Sequence, residues 1–193
     1  MSHDVVVLGL PGAGKGTQAQ LMAAEAGIPH IATGDMIRAM KEQDTPLGRE
    51  LRAVYDRGDL VSDELMIQLI RARLAEPDTG AGFVLDGFPR TVAQVEALDS
   101  MLEEIGRGLA VVLRFVVPDD VAVERLHGRA LQEGRSDDTA DVIRHRLDVF
   151  HRETAPAVDH YRDRGLLVDV DADRSVEDVF ADVRSTLEAA AAT

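Results

Sequence analysis

Residues 4–17, DVVVLGLPGAGKGT, set the strongest constraint on the fold. A run of valine and leucine passes without a break into a turn that holds Gly9, Gly12, Gly14, Gly16 and one lysine, Lys15. The apolar run has no polar alternation, which is the pattern of a strand buried on both faces of a parallel sheet. The glycines let successive backbone N–H groups turn inward without side-chain clash, and a helix starting just after adds its own N–H groups. Such a strand–loop–helix corner receives a phosphate, with the lysine as a point charge. In the common form of this loop a serine or threonine follows the lysine and places a hydroxyl on Mg²⁺. Here Gly16 follows, and the first hydroxyl, Thr17, comes one residue late. A helix turns about 100° per residue, so Thr17 does not simply replace a hydroxyl at position 16.

The rest of the chain repeats the alternation that this corner begins. Apolar runs at 30–32, 82–87, 109–117 and 165–171 read as four further strands, with the first at 4–10. Helical patterns fall at about 15–26, 91–105, 140–162 and 175–190. Pro156 predicts a kink in the third of these, because proline removes a helix hydrogen bond and clashes with the preceding turn. Strands alternating with helices predict an α/β domain, a doubly wound parallel five-stranded sheet. Ligands of such sheets bind beyond the carboxyl ends of the strands. Two stretches interrupt the alternation. Residues 33–76 hold only helical patterns, and 127–138, HGRALQEGRSDD, are polar. Both are expected to be inserts over the ligand edge.

Composition narrows the function. The 193 residues carry a formal net charge of −14, which opposes binding to a nucleic-acid backbone. There is no cysteine, which excludes disulfides, thiolate zinc sites and a cysteine nucleophile. No apolar run reaches the ~20 residues of a membrane span, and the N-terminus lacks the pattern of a secretory leader. A soluble cytoplasmic protein is expected, with neither membrane nor nucleic-acid partner. Lysine occurs only at positions 15 and 41, so its presence inside the glycine loop is informative.

Two more groups point at phosphate chemistry. Asp86 ends the apolar run FVLD, where a carboxylate would face the ligand crevice. Two readings stand at this point: a turn cap, or a metal ligand acting through water. Arginines cluster in the polar segments: Arg38 after TGD, Arg90 after GFP, and Arg129, Arg135, Arg144 and Arg146 around the second insert. Guanidinium groups grip phosphate oxygens bidentately and stay charged near neutrality. Gln94 lies four residues after Arg90, so both face one crevice if a helix begins there. An amide can pair with adenine, although most glutamines simply face solvent.

Taken together, GLPGAGKGTQ (9–18), TGDMIR (33–38), GDLVSDEL (58–65), LDGFPRTVAQ (85–94), ERLHGR (124–129), EGRSDDT (133–139) and IRHRL (143–147) resemble the adenylate kinase family, of the short-lid type. The resemblance covers essentially the whole chain. The family's loop itself reads G-x-P-G-x-G-K-G-T, so Gly16 is its ordinary form. The resemblance implies reversible, Mg²⁺-dependent transfer of the ATP γ-phosphoryl group to AMP. It implies one phosphate-loop kinase domain over 1–193, with a monophosphate-binding insert at 32–61 and a lid at 128–138.

The residue roles implied are these. Gly12, Ala13, Gly14, Lys15, Gly16 and Thr17 hold the ATP phosphates, with Arg129 on the ATP side and Arg174 near adenine. Thr33, Arg38, Asp59, Leu60, Val61, Gly87, Phe88, Pro89, Arg90 and Gln94 form the AMP site. Arg135 and Arg146 bridge the transferring phosphates. Lys15, Arg90, Arg129, Arg135 and Arg146 make up the catalytic set, and Asp86 meets Mg²⁺ through water. The short, cysteine-free lid implies no zinc, and a monomer is expected. Asp35, Asp137 and Asp138 match common family acids with roles left open between site and cap. Kinases of UMP or CMP, a phosphate-loop ATPase or switch, and an inactive nucleotide sensor are the alternatives. The first usually carries alanine at the Thr33 position. The second needs a water-positioning residue, and none is evident.

Overall fold

The computed structural model describes residues 3–133 and 139–191. Five parallel strands form one sheet in the order β2-β3-β1-β4-β5. They are β1 (His3–Gly9), β2 (His30–Ala32), β3 (Gly82–Asp86), β4 (Val111–Val116) and β5 (Leu167–Asp171). Register places Val7 beside Asp86 on one side and beside Leu113 on the other. The carboxyl end of β1 and that of β3 therefore open into the same space. Alternate residues of β1 feed two cores. Val5 and Val7 pack with helical residues such as Met22 and Val183, while Val6 and Leu8 pack with Leu98 and Tyr161 on the opposite face. The unbroken apolar run in the sequence thus reflects cover on both sides.

Nine α-helices surround the sheet among the described residues: α1 (Lys15–Ala26), α2 (Thr33–Lys41), α3 (Pro46–Arg57), α4 (Asp63–Leu74), α5 (Val92–Glu104), α6 (Asp119–Glu133), α7 (Ala140–Val149), α8 (Ala155–Asp163) and α9 (Val176–Ala191). Helices α2 to α4 fill the strand-free stretch between β2 and β3. Thr45 caps α3 by accepting from the Gly48 N–H at 2.9 Å, Pro46 supplies the preset first turn, and Gly58 ends the helix at φ +81°. Thr91 caps α5 in the same way, accepting from Gln94 N at 3.2 Å.

Two expectations change. The pattern over 140–162 is not one kinked helix. Helix α7 ends at Val149, a wide π-turn occupies Phe150–Thr154, and α8 follows. Pro156 has no N–H to donate into the preceding turn, and the wide turn accommodates that loss just before it. The last strand is an edge and is not covered on both faces. Val168, Asp169 and Asp171 are exposed, and Asp169 pairs across the strands with Arg114 at 2.6 Å. Charge on an edge strand discourages pairing with another chain.

At the opposite end of β1 from the cleft, Asp4 is fully buried beneath Arg107. Arg107 donates through Nε to Asp4 Oδ2 at 2.9 Å and through Nη1 to the Thr79 carbonyl at 2.9 Å. Removing one partner of a buried pair strands the other charge, which costs about 3–5 kcal/mol. Asp4→Ala is therefore expected to lose about 3 kcal/mol of stability in urea unfolding. Its kcat should stay at the parent value, because the pair lies at the far end of the strand from the cleft.

Candidate functional site

The glycine loop turns where β1 ends. Gly9 sits so close to β4 that an added Cβ would lie 2.4 Å from the Phe115 carbonyl oxygen. At Gly12 an added Cβ would lie 2.5 Å from the Ala122 carbonyl oxygen, and both glycines have positive φ. Only glycine fits these approaches, which fix the loop against β4 and α6. Lys15 opens α1 and folds its ammonium inward, donating to the carbonyls of Gly9 and Leu10 at 2.8 Å each.

A cleft of about 970 Å³ runs from this loop across the carboxyl ends of the strands to the α2–α3 region. All six loop residues from Gly12 to Thr17 line it, as do Thr33, Arg38, Asp59, Leu60, Val61, Gly87, Pro89, Arg90 and Gln94. Arg129, Arg146, Arg174 and Asp86 also face it. Phe88 does not: its ring is fully buried in the core, so only its backbone remains for a role at the site. The GFP segment reads as one motif in sequence, but an apolar ring has more to gain under the sheet than in a charged cleft. Arg135 lies outside the described residues, with Asp137 and Asp138 and the last five residues of the expected lid. Arg144 points away from the cleft, bonded to Asp141 at 2.7 Å, which separates it from Arg146.

Electrostatic coupling runs from one end of the cleft to the other. Lys15 senses Asp86, Arg90 and Arg129; Arg90 in turn senses Asp86, Arg146 and Tyr55. Burial, reinforced by Arg90 and Arg129, pushes the Lys15 ammonium down to about 8. Burial likewise lowers Arg90, with Asp86 opposing it, and an arginine so lowered remains charged at neutral pH. For Asp86, burial favours the acid, but His30, Lys15 and Arg90 outweigh it and hold the carboxyl below its usual range. The His30 Nε2 lies 3.6 Å from Asp86 Oδ2, an electrostatic contact too long for a hydrogen bond. An added Cβ at Gly16 would lie 3.5 Å from that same Oδ2. The glycine after the lysine therefore leaves the Asp86 carboxylate uncovered beside the loop. One ionised carboxylate at this spot suits a cation carried in by phosphates and water. Among the described residues, no three His, Asp or Glu side chains gather to hold a metal alone.

The far end of the cleft is built differently. Arg90 donates from Nε to the Gly87 carbonyl at 2.7 Å. Gly87 has φ +84°, and an added Cβ would meet Thr33 Oγ1 at 2.4 Å. Thr33 Oγ1 in turn donates to the Asp86 carbonyl at 3.1 Å. Gln94 is nearly fully buried, and both ends of its amide are engaged: Oε1 accepts from Arg90 N at 2.8 Å, and Nε2 donates to Asp63 Oδ1 at 2.7 Å. Those partners fix which way the amide points, and each end keeps one further hydrogen-bonding position. Asp59 accepts from Arg57 Nε at 2.9 Å and meets His145 Nε2 at 2.7 Å. Those two contacts, His145 first, hold Asp59 below the usual carboxylate range.

The family model for adenylate kinase matches residues 7–166. The chain belongs to the adenylate kinase family. An adenylate kinase of Kocuria rhizophila is 50% identical over 184 residues, covering 95% of this chain and 98% of that one. One from Thermobifida fusca is 51% identical over 175 residues, covering 91% and 93%. One from Bacillus subtilis is 40% identical over an alignment of 211 positions, covering 95% and 97%. That alignment is longer than this chain of 193 residues, so the Bacillus relative carries residues that this chain lacks.

Sequence reasoning missed His30, Tyr55, Arg125 and Gln132, which also line the cleft. His30 had a signal, since it is a polar residue next to the apolar core of a short strand. Tyr55 had a weaker one, as one of only two tyrosines. Arg125 and Gln132 lie on the polar helix leading into the second insert, where nothing distinguishes them from solvated residues.

A phosphate seated in the loop binds the ammonium form of Lys15. With that group near 8, raising the pH from 7.5 to 9 removes the proton and should weaken ATP binding roughly eightfold. Equilibrium titration of the protein with ATP at the two pH values measures this. Lys15→Arg should flatten the dependence, because the guanidinium does not titrate in that range.

Proposed function

We propose that this chain catalyses ATP + AMP ⇌ 2 ADP by direct, reversible phosphoryl transfer. The observation that carries the reading is the single cleft, with a phosphate loop at one end, a second arginine-bearing pocket at the other, and coupled cations joining them. Phosphoryl transfer asks the protein mainly for positioning and charge stabilisation. The loop from Gly12 to Thr17 and Lys15 hold the donor phosphates. Arg129 lies on the same side, and the backbone near Arg174 takes the donor adenine. Arg38 and Arg90 hold the phosphate of AMP. Arg129, Arg135 and Arg146 neutralise the phosphoryl group as it moves. The acceptor is already an anionic phosphate oxygen, so no general base is needed.

Thr33, the Asp59–Val61 segment, the backbone from Gly87 through Pro89, and Gln94 form the AMP pocket. Gln94 reads adenine with the hydrogen-bonding positions that Arg90 and Asp63 leave open. Asp86 holds Mg²⁺ through water. When bound, Mg²⁺ supplies charge neutralisation at the donor phosphates. Thr17 serves the phosphates and the loop geometry, leaving the cation few direct protein ligands. Residues 32–61 form the monophosphate-binding insert and 128–138 the lid. Their closure excludes water that would otherwise take the phosphoryl group. Every group invoked comes from one chain, so a monomer suffices.

A coupled assay with ATP and, in turn, AMP, GMP, CMP and UMP tests the reading. ADP should form fastest with AMP, over a low ATPase background without acceptor. Faster turnover of UMP or CMP would select the other monophosphate kinases, and acceptor-independent hydrolysis would select an ATPase. Arg90→Ala should lower kcat by about a hundredfold or more, the scale of removing a group that stabilises transition-state charge. Circular dichroism and melting should stay close to the parent. Turnover near the parent value would sink the assignment of Arg90.

A further inference from the structure

Tyr55 lies in the last turn of α3 and faces the cleft, yet the phosphate chemistry described so far gives it no part. Three cations converge on this one side chain. Arg38 of α2 donates from Nη1 to the Tyr55 hydroxyl at 2.6 Å. The Arg146 guanidinium of α7 lies over the ring, with Cζ 5.3 Å from the centroid. Lys41 Nζ, also on α2, is 4.6 Å from the same centroid and is held there by Asp56 at 2.7 Å. Three residues after Tyr55, Gly58 leaves room for the Arg146 stem, since an added Cβ would sit 3.0 Å from Arg146 Cγ.

We propose that Tyr55 is a positioning residue that aims Arg38 with its hydroxyl and Arg146 with its ring, linking the α2–α3 segment to α7. This rests on the reading of Arg38 and Arg146 as phosphate ligands. The chemistry of a tyrosine suits the task. A carboxylate between two arginines would fill their donor forks and compete with phosphate for them. The phenol takes one N–H at Nη1 of Arg38, Asp35 takes one at Nη2, and the remaining N–H donors stay open to phosphate. Burial opposes the Arg38 charge, and Tyr55 ahead of Asp35 outweighs that and keeps it firmly protonated. The ring face attracts Arg146 through its quadrupole without engaging any of its N–H donors. Arg38 and Arg146 come from different helices, separated by more than a hundred residues of chain. One side chain that touches both makes the aim of the acceptor-side arginine depend on α7 being in place.

The test uses steady-state kinetics on the full chain, varying AMP and ATP separately, with melting curves alongside. Tyr55→Phe keeps the ring and removes the hydroxyl. It should raise the KM for AMP about tenfold, the lower end of the scale for losing a hydrogen bond to a charged group, and leave the KM for ATP within about twofold of the parent. Tyr55→Leu also removes the ring face. It should add a drop in kcat of about fivefold, the scale of a partly desolvated cation–π contact. A merely structural role would instead move both KM values together, or lower melting with kinetics unchanged. Either result overturns the proposal, as does finding both variants within about twofold of the parent in every constant. Arg38→Ala and Arg146→Ala run in parallel separate the two levels of inference. If both remain fully active, the reading of these arginines as phosphate ligands fails, and the role of Tyr55 with it. If both are impaired while the Tyr55 variants are not, the role of Tyr55 alone fails.

Discussion

The cleft is governed by the burial of several cations together. Lys15, Arg90, Arg129 and Arg146 are gathered in one space in a protein whose net charge is −14. The acidic surplus lies mostly elsewhere, on helix surfaces and strand edges. Within the coupled set, Asp86 is the carboxylate that answers Lys15 and Arg90. The cost is visible in the lowered proton affinity of Lys15 and Arg90, which burial and like charge depress together. Anionic phosphates relieve that strain, so substrate completes the electrostatics of the site. Lys15 and Arg90 are already held in place by backbone carbonyls, which is the condition for electrostatic stabilisation to be effective.

That arrangement depends on the sheet. Parallel strands put the carboxyl ends of β1 and β3 side by side, and the register sets Val7 against Asp86. The glycine loop and the Asp86 carboxylate are therefore neighbours by topology, although about seventy residues separate them in the chain. Gly9 and Gly12 then lock the loop against β4 and α6 by approaches that no side chain tolerates.

Much of this was legible in the sequence, for identifiable reasons. The strand-loop-helix corner, the alternation of apolar runs with helical stripes, and the arginine-bearing motifs are local patterns, and local patterns survive without coordinates. What the sequence hid was non-local. The exposure of β5 follows from its place at the end of the strand order, which an apolar run does not reveal. The π-turn at Phe150–Thr154 depends on how the chain absorbs Pro156, where periodicity predicts only a kink. Phe88 looked like part of the site because its neighbours are, yet its ring turns into the core. Tyr55 escaped because its partners, Arg38 and Arg146, come from two other helices.

The Gln94 amide carries a constraint of another kind. Asp63 Oδ1 accepts from both Gln94 Nε2 and the hydroxyl of Thr91, and that same threonine caps α5. The Gln94 amide and the start of a core helix are thus wired through one half-buried carboxylate. Replacing Gln94 alone would strip a donor from Asp63 and loosen the end of α5. A change at Gln94 therefore has to be matched at Asp63 to keep this bond network, so the pocket wall resists alteration by single steps.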